Sequence, residues 1–167
     1  MELMDAWIAS NPDDPGPRIM HAHWARRNFD EARNVYEALQ NEGIKDIAIL
    51  TNLANIYHQL GDPRALPPAK LAFEMAPESA RVLDIYGWIL SEGGNPKEGL
   101  SVLGEAYARE STLPEIRCHL AVALMKLGKN DEALAELEAC LARKSELPGR
   151  EKARALLGEL KGDSAVN

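Results

Sequence analysis

The sequence predicts an all-α solenoid, a row of antiparallel helical hairpins stacked side by side. Three observations predict it. A punctuated helical motif begins near Asp13, Ile47, Ala80, Pro114 and Pro148, at successive offsets of 34, 33, 34 and 34 residues. Each clear copy places two apolar helical stripes on either side of a glycine-bearing turn. Small residues recur at one fixed place in each stripe, in phase with that turn. A constant period of this length means that one supersecondary unit is repeated and stacked, with no single closed core.

The elements follow in order. Residues 1–12 read as a lone second helix, Glu2 to Ser10, ended by Asn11-Pro12-Asp13-Asp14-Pro15. A hairpin without its first half suggests the C-terminal piece of a longer array. Residues 13–46 form a degenerate copy, with Arg27-Asn28 at the turn and Phe29 to Tyr36 as its second helix. In 47–79 the stripe Leu50, Leu53, Ala54, Tyr57 runs to Gly61-Asp62, and Ala65, Ala72 and Pro77 follow. Pro67-Pro68 would cost roughly 3 kcal/mol each inside a helix, so that second helix is expected to start late, near Pro67, or to kink there. In 80–113 the stripe is Leu83, Tyr86, Gly87 and Leu90, then Gly94-Asn95-Pro96, then Gly99, Leu103 and Ala106. Glycine closes the first helix and proline opens the second. In 114–147 Leu120, Ala121 and Leu124 precede Gly128-Lys129-Asn130-Asp131, then Ala133, Leu137 and Cys140. Residues 148–161 read as a charged helix that covers the last hairpin's apolar face, and 162–167 as a fraying tail.

Ala54, Gly87 and Ala121 share one position of the first helix, and Ala65, Gly99 and Ala133 share the matching position of the second. Two helices joined by a three- or four-residue turn approach closely only where side chains are nearly absent. This pattern resembles the tetratricopeptide repeat (TPR) and covers nearly the whole chain. The resemblance implies a right-handed superhelix whose first helices line a concave face.

Composition bounds the function. The net charge of −7 opposes an electrostatic grip on nucleic acid or an anionic membrane. No run of roughly 18 apolar residues could span a bilayer. Met1 to Trp7 lack the basic and apolar regions of a signal peptide. Cys118 and Cys140 fall on the two helices of one repeat, where a disulfide is geometrically allowed. The expectation is two reduced thiols used as small apolar residues.

No catalytic constellation emerges, and neither an enzyme nor a bound cofactor or metal is expected. His21 and His23 are two apart and diverge on a helix. His119 follows Cys118 directly, but adjacent helical residues also diverge, and no third group is evident to orient the imidazole. What remains is a surface. By position in the repeat, the expected partner-binding groove comprises Asn52, Asn55, His58, Arg81, Asp84, Trp88, Val122 and Lys126. Glu92, Cys118 and Met125 flank it, and the degenerate copy adds His21 and Trp24. Trp88 has a competing reading, as packing between repeats. Chaperone-binding TPR domains grip a C-terminal carboxylate with Lys and Asn. Asn55 and Lys126 resemble that clamp, but Thr51 and Asp84 leave it incomplete.

Three stretches resemble a narrower family. Gly61-Asp62-Pro63-Arg64-Ala65-Leu66, Leu83 to Leu90 and Pro114 to Leu124 are similar to motifs in the C-terminal repeats of the TPR lipoproteins associated with the PEP-CTERM/exosortase system. Pro67-Pro68, the shortened turn and Cys118 depart from that pattern. The resemblance implies a bacterial envelope or periplasmic protein linked to exopolysaccharide synthesis and protein sorting, with a lipoprotein signal upstream. The expected function is a non-catalytic scaffold that binds a protein or peptide segment in the groove. The alternative is self-assembly into a homo-oligomer through the lone N-terminal helix.

Overall fold

A computed structural model of the chain describes residues 2–10, 14–16, 18–19, 28–142 and 150–164. His21, His23, Trp24 and Pro148 lie outside the described residues. Among the described residues there is no strand. Helices α1 (Glu2–Ser10), α2 (Phe29–Asn41), α3 (Ile47–Gln59) and α4 (Leu66–Met75) belong to one compact unit, residues 1–76. Helices α5 (Ala80–Glu92), α6 (Pro96–Arg109), α7 (Pro114–Lys126), α8 (Asn130–Ala142) and α9 (Arg150–Ser164) belong to a second, residues 77–167.

In the first unit, side chains cap the helices that the sequence starts with polar residues. Asp46 accepts from the Ile49 amide at 3.0 Å, and Asn28 accepts from the Glu31 amide. The Gly61-Asp62 turn leads into a 3₁₀ turn, Pro63–Ala65, and α4 begins only at Leu66. Pro67 and Pro68 therefore stand in the first turn of α4, where their missing amides break no helical bond. The α2–α3 contact is polar as well as apolar. The Tyr57 hydroxyl donates to Glu37 at 2.8 Å, and Arg64 lies over the Tyr57 ring and pairs with Glu37 at 3.2 Å. Burial, reinforced by Glu37, pushes the Tyr57 phenol up to about 12. The Arg64 guanidinium holds the Asp62 carboxyl below the usual carboxylate range.

The first helices end alike. In each of three copies the residue after the turn glycine donates its amide to the carbonyl five residues back: Asp62 to Tyr57 at 2.8 Å, Asn95 to Leu90 at 3.0 Å and Lys129 to Leu124 at 3.0 Å. That bond requires a left-handed residue at the turn, which Gly61, Gly94 and Gly128 supply with φ of 68°, 98° and 72°.

The second unit contains the closest crossing. A Cβ on Gly87 would lie 2.9 Å from Leu103 Cγ and 3.0 Å from the Gly99 carbonyl. One on Gly99 would lie 2.1 Å from Ser91 Oγ and 2.6 Å from the Gly87 carbonyl. Ser91 is fully buried and donates to that same carbonyl at 2.8 Å, so the crossing has no slack. In the next hairpin Ala121 and Ala133, both fully buried, occupy the matching places. Ala153, Leu156, Leu157 and Leu160 of α9 complete the core of that hairpin with Leu124 and Leu137. Helix α9 continues through Gly162 and Asp163 to Ser164, three residues past the end expected at 161. Neither Gly162 nor Asp163 blocks helical dihedrals, and no proline follows to stop the turn.

Two glycines of α6 give opposite outcomes. Gly99→Ala destabilises by about 1–3 kcal/mol, because the backbone must part, although alanine favours a helix by about 1 kcal/mol. Gly104→Ala, with nothing within 4 Å of its added Cβ, stabilises by about 0.4–1 kcal/mol. Urea unfolding of both variants checks the pair, and equal shifts of the same sign would refute the crossing.

Candidate functional site

Helices α5 and α7 are the first helices of successive hairpins and pack against each other. Asp84 and Trp88, one turn apart on α5, share a face. That face meets His119 of α7. His119 Nδ1 lies 2.7 Å from Asp84 Oδ1, and the imidazole stacks on the Trp88 indole with centroids 4.2 Å apart and planes 9° apart. Asp84 and Trp88 are 7% and 8% exposed, so both are packed between repeats more than they are offered to a ligand. A carboxylate only accepts, so in this contact Nδ1 is the donor.

This cluster corrects one sequence expectation and bears on another. His119 does have an orienting group, Asp84, which a 35-residue separation conceals in the sequence. Asp84 and Trp88, named among the groove residues with packing between repeats as the competing reading for Trp88, both contact the His119 ring. Their hydrophobic and hydrogen-bonding capacity is spent on α7, because successive first helices approach closely at these positions.

The cysteines are a second correction. Cys118 and Cys140 form a disulfide, with Cα atoms 5.6 Å apart, where two thiols were expected. Cys118 therefore faces α8 and is not a groove residue. Cys140 stands where earlier copies carry Ala72 and Ala106, a buried position on the inner face of the second helix. The sulfurs meet because the small residues at the crossing bring α7 and α8 together. With the cysteines 22 residues apart in sequence, loop closure gives the bond about 3 kcal/mol.

Of the remaining expected groove residues in this unit, Arg81 and Lys126 are exposed and Val122 is half-buried. Met125 packs against the core under α9, and Glu92 pairs with Lys152 of α9 at 3.9 Å. Glu115, one turn before His119, has an Oε2 atom that is buried without a hydrogen-bond partner. In the first unit Asn52 is 6% exposed and its amide donates to the Tyr36 hydroxyl at 3.2 Å, so it joins α3 to α2 and faces inward. Asn55 and His58 are half-buried, and Asn55 Oδ1 is a second buried acceptor without a partner.

Paired hairpins with small crossing residues and first helices packed side by side define an α-solenoid of helical hairpins. Residues 90–160 match the family model described as tetratricopeptide repeat. The fold is shared with solved TPR proteins. A thermophilic TPR protein from Thermus thermophilus is 23% identical, with 95% of this chain and 87% of that chain covered at a TM-score of 0.70. A tetratricopeptide repeat protein from Parabacteroides merdae is 20% identical, covering 98% and 66% at a TM-score of 0.73. YrrB, described as a TPR protein with an unusual peptide-binding site, is 16% identical, covering 83% and 91% at 0.60. No curated protein matches the sequence. Among the described residues no helix is long and apolar enough to cross a membrane.

Two stability measurements follow from this geometry. Trp88→Ala lowers stability by about 3–5 kcal/mol in denaturant unfolding, as expected of a buried indole. A change below about 1 kcal/mol would return Trp88 to the open face. Reduction of the Cys118–Cys140 bond lowers stability by about 3 kcal/mol, read as a shift of the urea midpoint with and without dithiothreitol. An unshifted midpoint, with mass spectrometry reporting two free thiols before reduction, would remove the disulfide.

Proposed function

We propose that this chain is a non-catalytic protein–protein interaction scaffold that holds an extended partner segment against the first helices of its repeats. The observation that carries the reading is the side-by-side packing of α5 and α7, with Arg81 and Lys126 exposed and Val122 half-buried. Within the first unit, Asn55 and His58 of the first helix α3 are half-buried and are proposed as contact residues of that unit by itself. The peptide-binding site ascribed to YrrB supports the same class of ligand. The acidic charge of −7 favours protein or peptide over nucleic acid.

The finer setting is the bacterial envelope, in exopolysaccharide-linked protein sorting. It rests on the three motifs that resemble the exosortase-associated lipoproteins. The Cys118–Cys140 bond supports it independently, since disulfides persist in oxidising compartments such as the periplasm. A second reading, self-assembly through α1, is favoured by Trp7, which is 43% exposed.

Val122→Arg tests the scaffold reading. It places a long charged chain on the uncovered side of α7, at a half-buried site where the stem can still reach water. Affinity capture from lysate and envelope fractions of the source cell is expected to lose its specific partner with this variant, while circular dichroism stays unchanged. Equal capture by both forms would discard the groove. Recovery of only the chain's own full-length form, with concentration-dependent mass in light scattering, would favour self-assembly.

A further inference from the structure

Helix α9 sits on a floor that the disulfide helps to build. Cys118 packs against the cluster in which Ala121, Leu124, Ala133 and Leu137 meet Ala153 and Leu160 of α9. The bond is not what closes the hairpin. Ala121 and Ala133 fill the crossing places, and Cys140 occupies a place that Ala72 and Ala106 fill in earlier copies, which hold no cysteine. Asp84 stands at the same repeat position as Cys118 and shows where an unbonded side chain points there: onto the next first helix, at His119. Ala153 stands one repeat of 34 residues after His119 and is buried. A Cys118 side chain freed from Cys140 and turned the way of Asp84 therefore meets Ala153 inside a filled core, where the sulfur has no room. Helix α9 is the element least able to resist. It has 15 residues, Gly158 and Gly162 among them, and a helix of that kind is marginal in water without its packing partner. Leu156 and Leu157 are only half-buried, and the ion pairs of α9 with Glu138 and Glu92 are made by the exposed Lys161 and Lys152, which hold weakly.

We propose that the Cys118–Cys140 bond is a redox latch on α9. Oxidised, it turns Cys118 onto α8 and leaves α9 seated; reduced, it frees a thiol that displaces α9 and uncovers Leu124, Met125 and Leu137. The exchange runs through the more accessible sulfur. Cys118 is half-buried and Cys140 fully buried, so a thiolate of an external dithiol attacks Sγ of Cys118 and expels Cys140 as its thiolate, which takes up a proton. The second thiol of the reductant then attacks the reductant's own sulfur in the mixed disulfide, and Cys118 leaves and is protonated in turn. Two electrons pass to the protein, and the dithiol ends as a cyclic disulfide. A monothiol completes this poorly, because Cys140, held beside Cys118, reverses the first step before a second monothiol arrives. Exchange with a disulfide oxidant runs the same steps backward and seats α9 again.

Backbone NMR chemical shifts of the full chain, recorded with and without excess dithiothreitol, test the latch, with mass spectrometry reporting the bond before reduction and two thiols after it. Arg150–Ser164 is expected to show helical shifts in the oxidised chain and to lose most of that helical population on reduction, while α5 and α6 keep theirs. Cys118→Ala, which removes the bond together with the sulfur that would crowd Ala153, is expected to keep α9 seated with and without dithiothreitol. The double variant Cys118→Ala/Cys140→Ala takes its place if the single one does not fold. Shifts of α9 that reduction leaves unchanged would overturn the latch. Loss of the α5 and α6 shifts together with those of α9 would mean that the whole unit unfolds, and would overturn it as well. Release of α9 in the alanine variants would remove the crowding at Ala153, and the latch with it.

Discussion

Everything in the second unit depends on how closely α5 and α6 cross. At Gly87 and Gly99 the two backbones approach so nearly that a single methyl group has no room. Close approach fixes the rotation of each helix about its axis, because neither can turn without driving a larger neighbour into the other's carbonyls. Ser91 extends this constraint by spending its hydroxyl on the Gly87 carbonyl, inside a completely buried site. Once the rotation of α5 is set, Asp84 and Trp88 must point along one direction, toward the next first helix. The cluster with His119 is thus set by the glycine crossing on an adjacent side of the same helix.

The same logic explains which parts of the molecule are readable in sequence. Period, turn glycines and small crossing residues are local or strictly repeated, so they survive as a pattern. The late start of α4 is readable because proline's missing amide is a property of the residue itself. The His119 cluster is not, since its partners come from another copy. Writing the repeats beneath one another gives the available signal: His119 stands one place after Asp84 and three places before Trp88 when their copies are superposed. Hydrogen-bond chemistry at such offsets between copies is not encoded by the apolar stripe that identifies the helix. The Asn52 contact is hidden for the same reason, because Tyr36, which takes its amide, lies on a preceding helix.

The cysteine pair fails as a sequence reading for a different physical reason. Spacing alone cannot report whether two side chains on antiparallel helices face each other, since each helix has a free rotation. The fully buried Ala121 and Ala133 remove that freedom in the last hairpin. Their matching places bring α7 and α8 together and orient Cys118 toward Cys140. The disulfide is accordingly a second lock on a geometry that the alanines already specify.

One repeat position shows how far context governs use. Asp84 and Cys118 are equivalent residues in successive copies, 34 residues apart. In the earlier copy the position reaches across to α7 and holds an imidazole. In the later copy it turns onto its own second helix and is bonded there. The difference follows from what the neighbouring segment provides. Helix α7 offers His119 to the first, whereas α9 covers the last hairpin with the apolar residues Ala153, Leu156, Leu157 and Leu160, and a carboxylate against them would be buried without a donor. A small, apolar disulfide suits that surrounding and stiffens α7 from behind. Helix α7 is therefore restrained at two adjacent positions, by Trp88 and Asp84 at His119 and by Cys140 at Cys118.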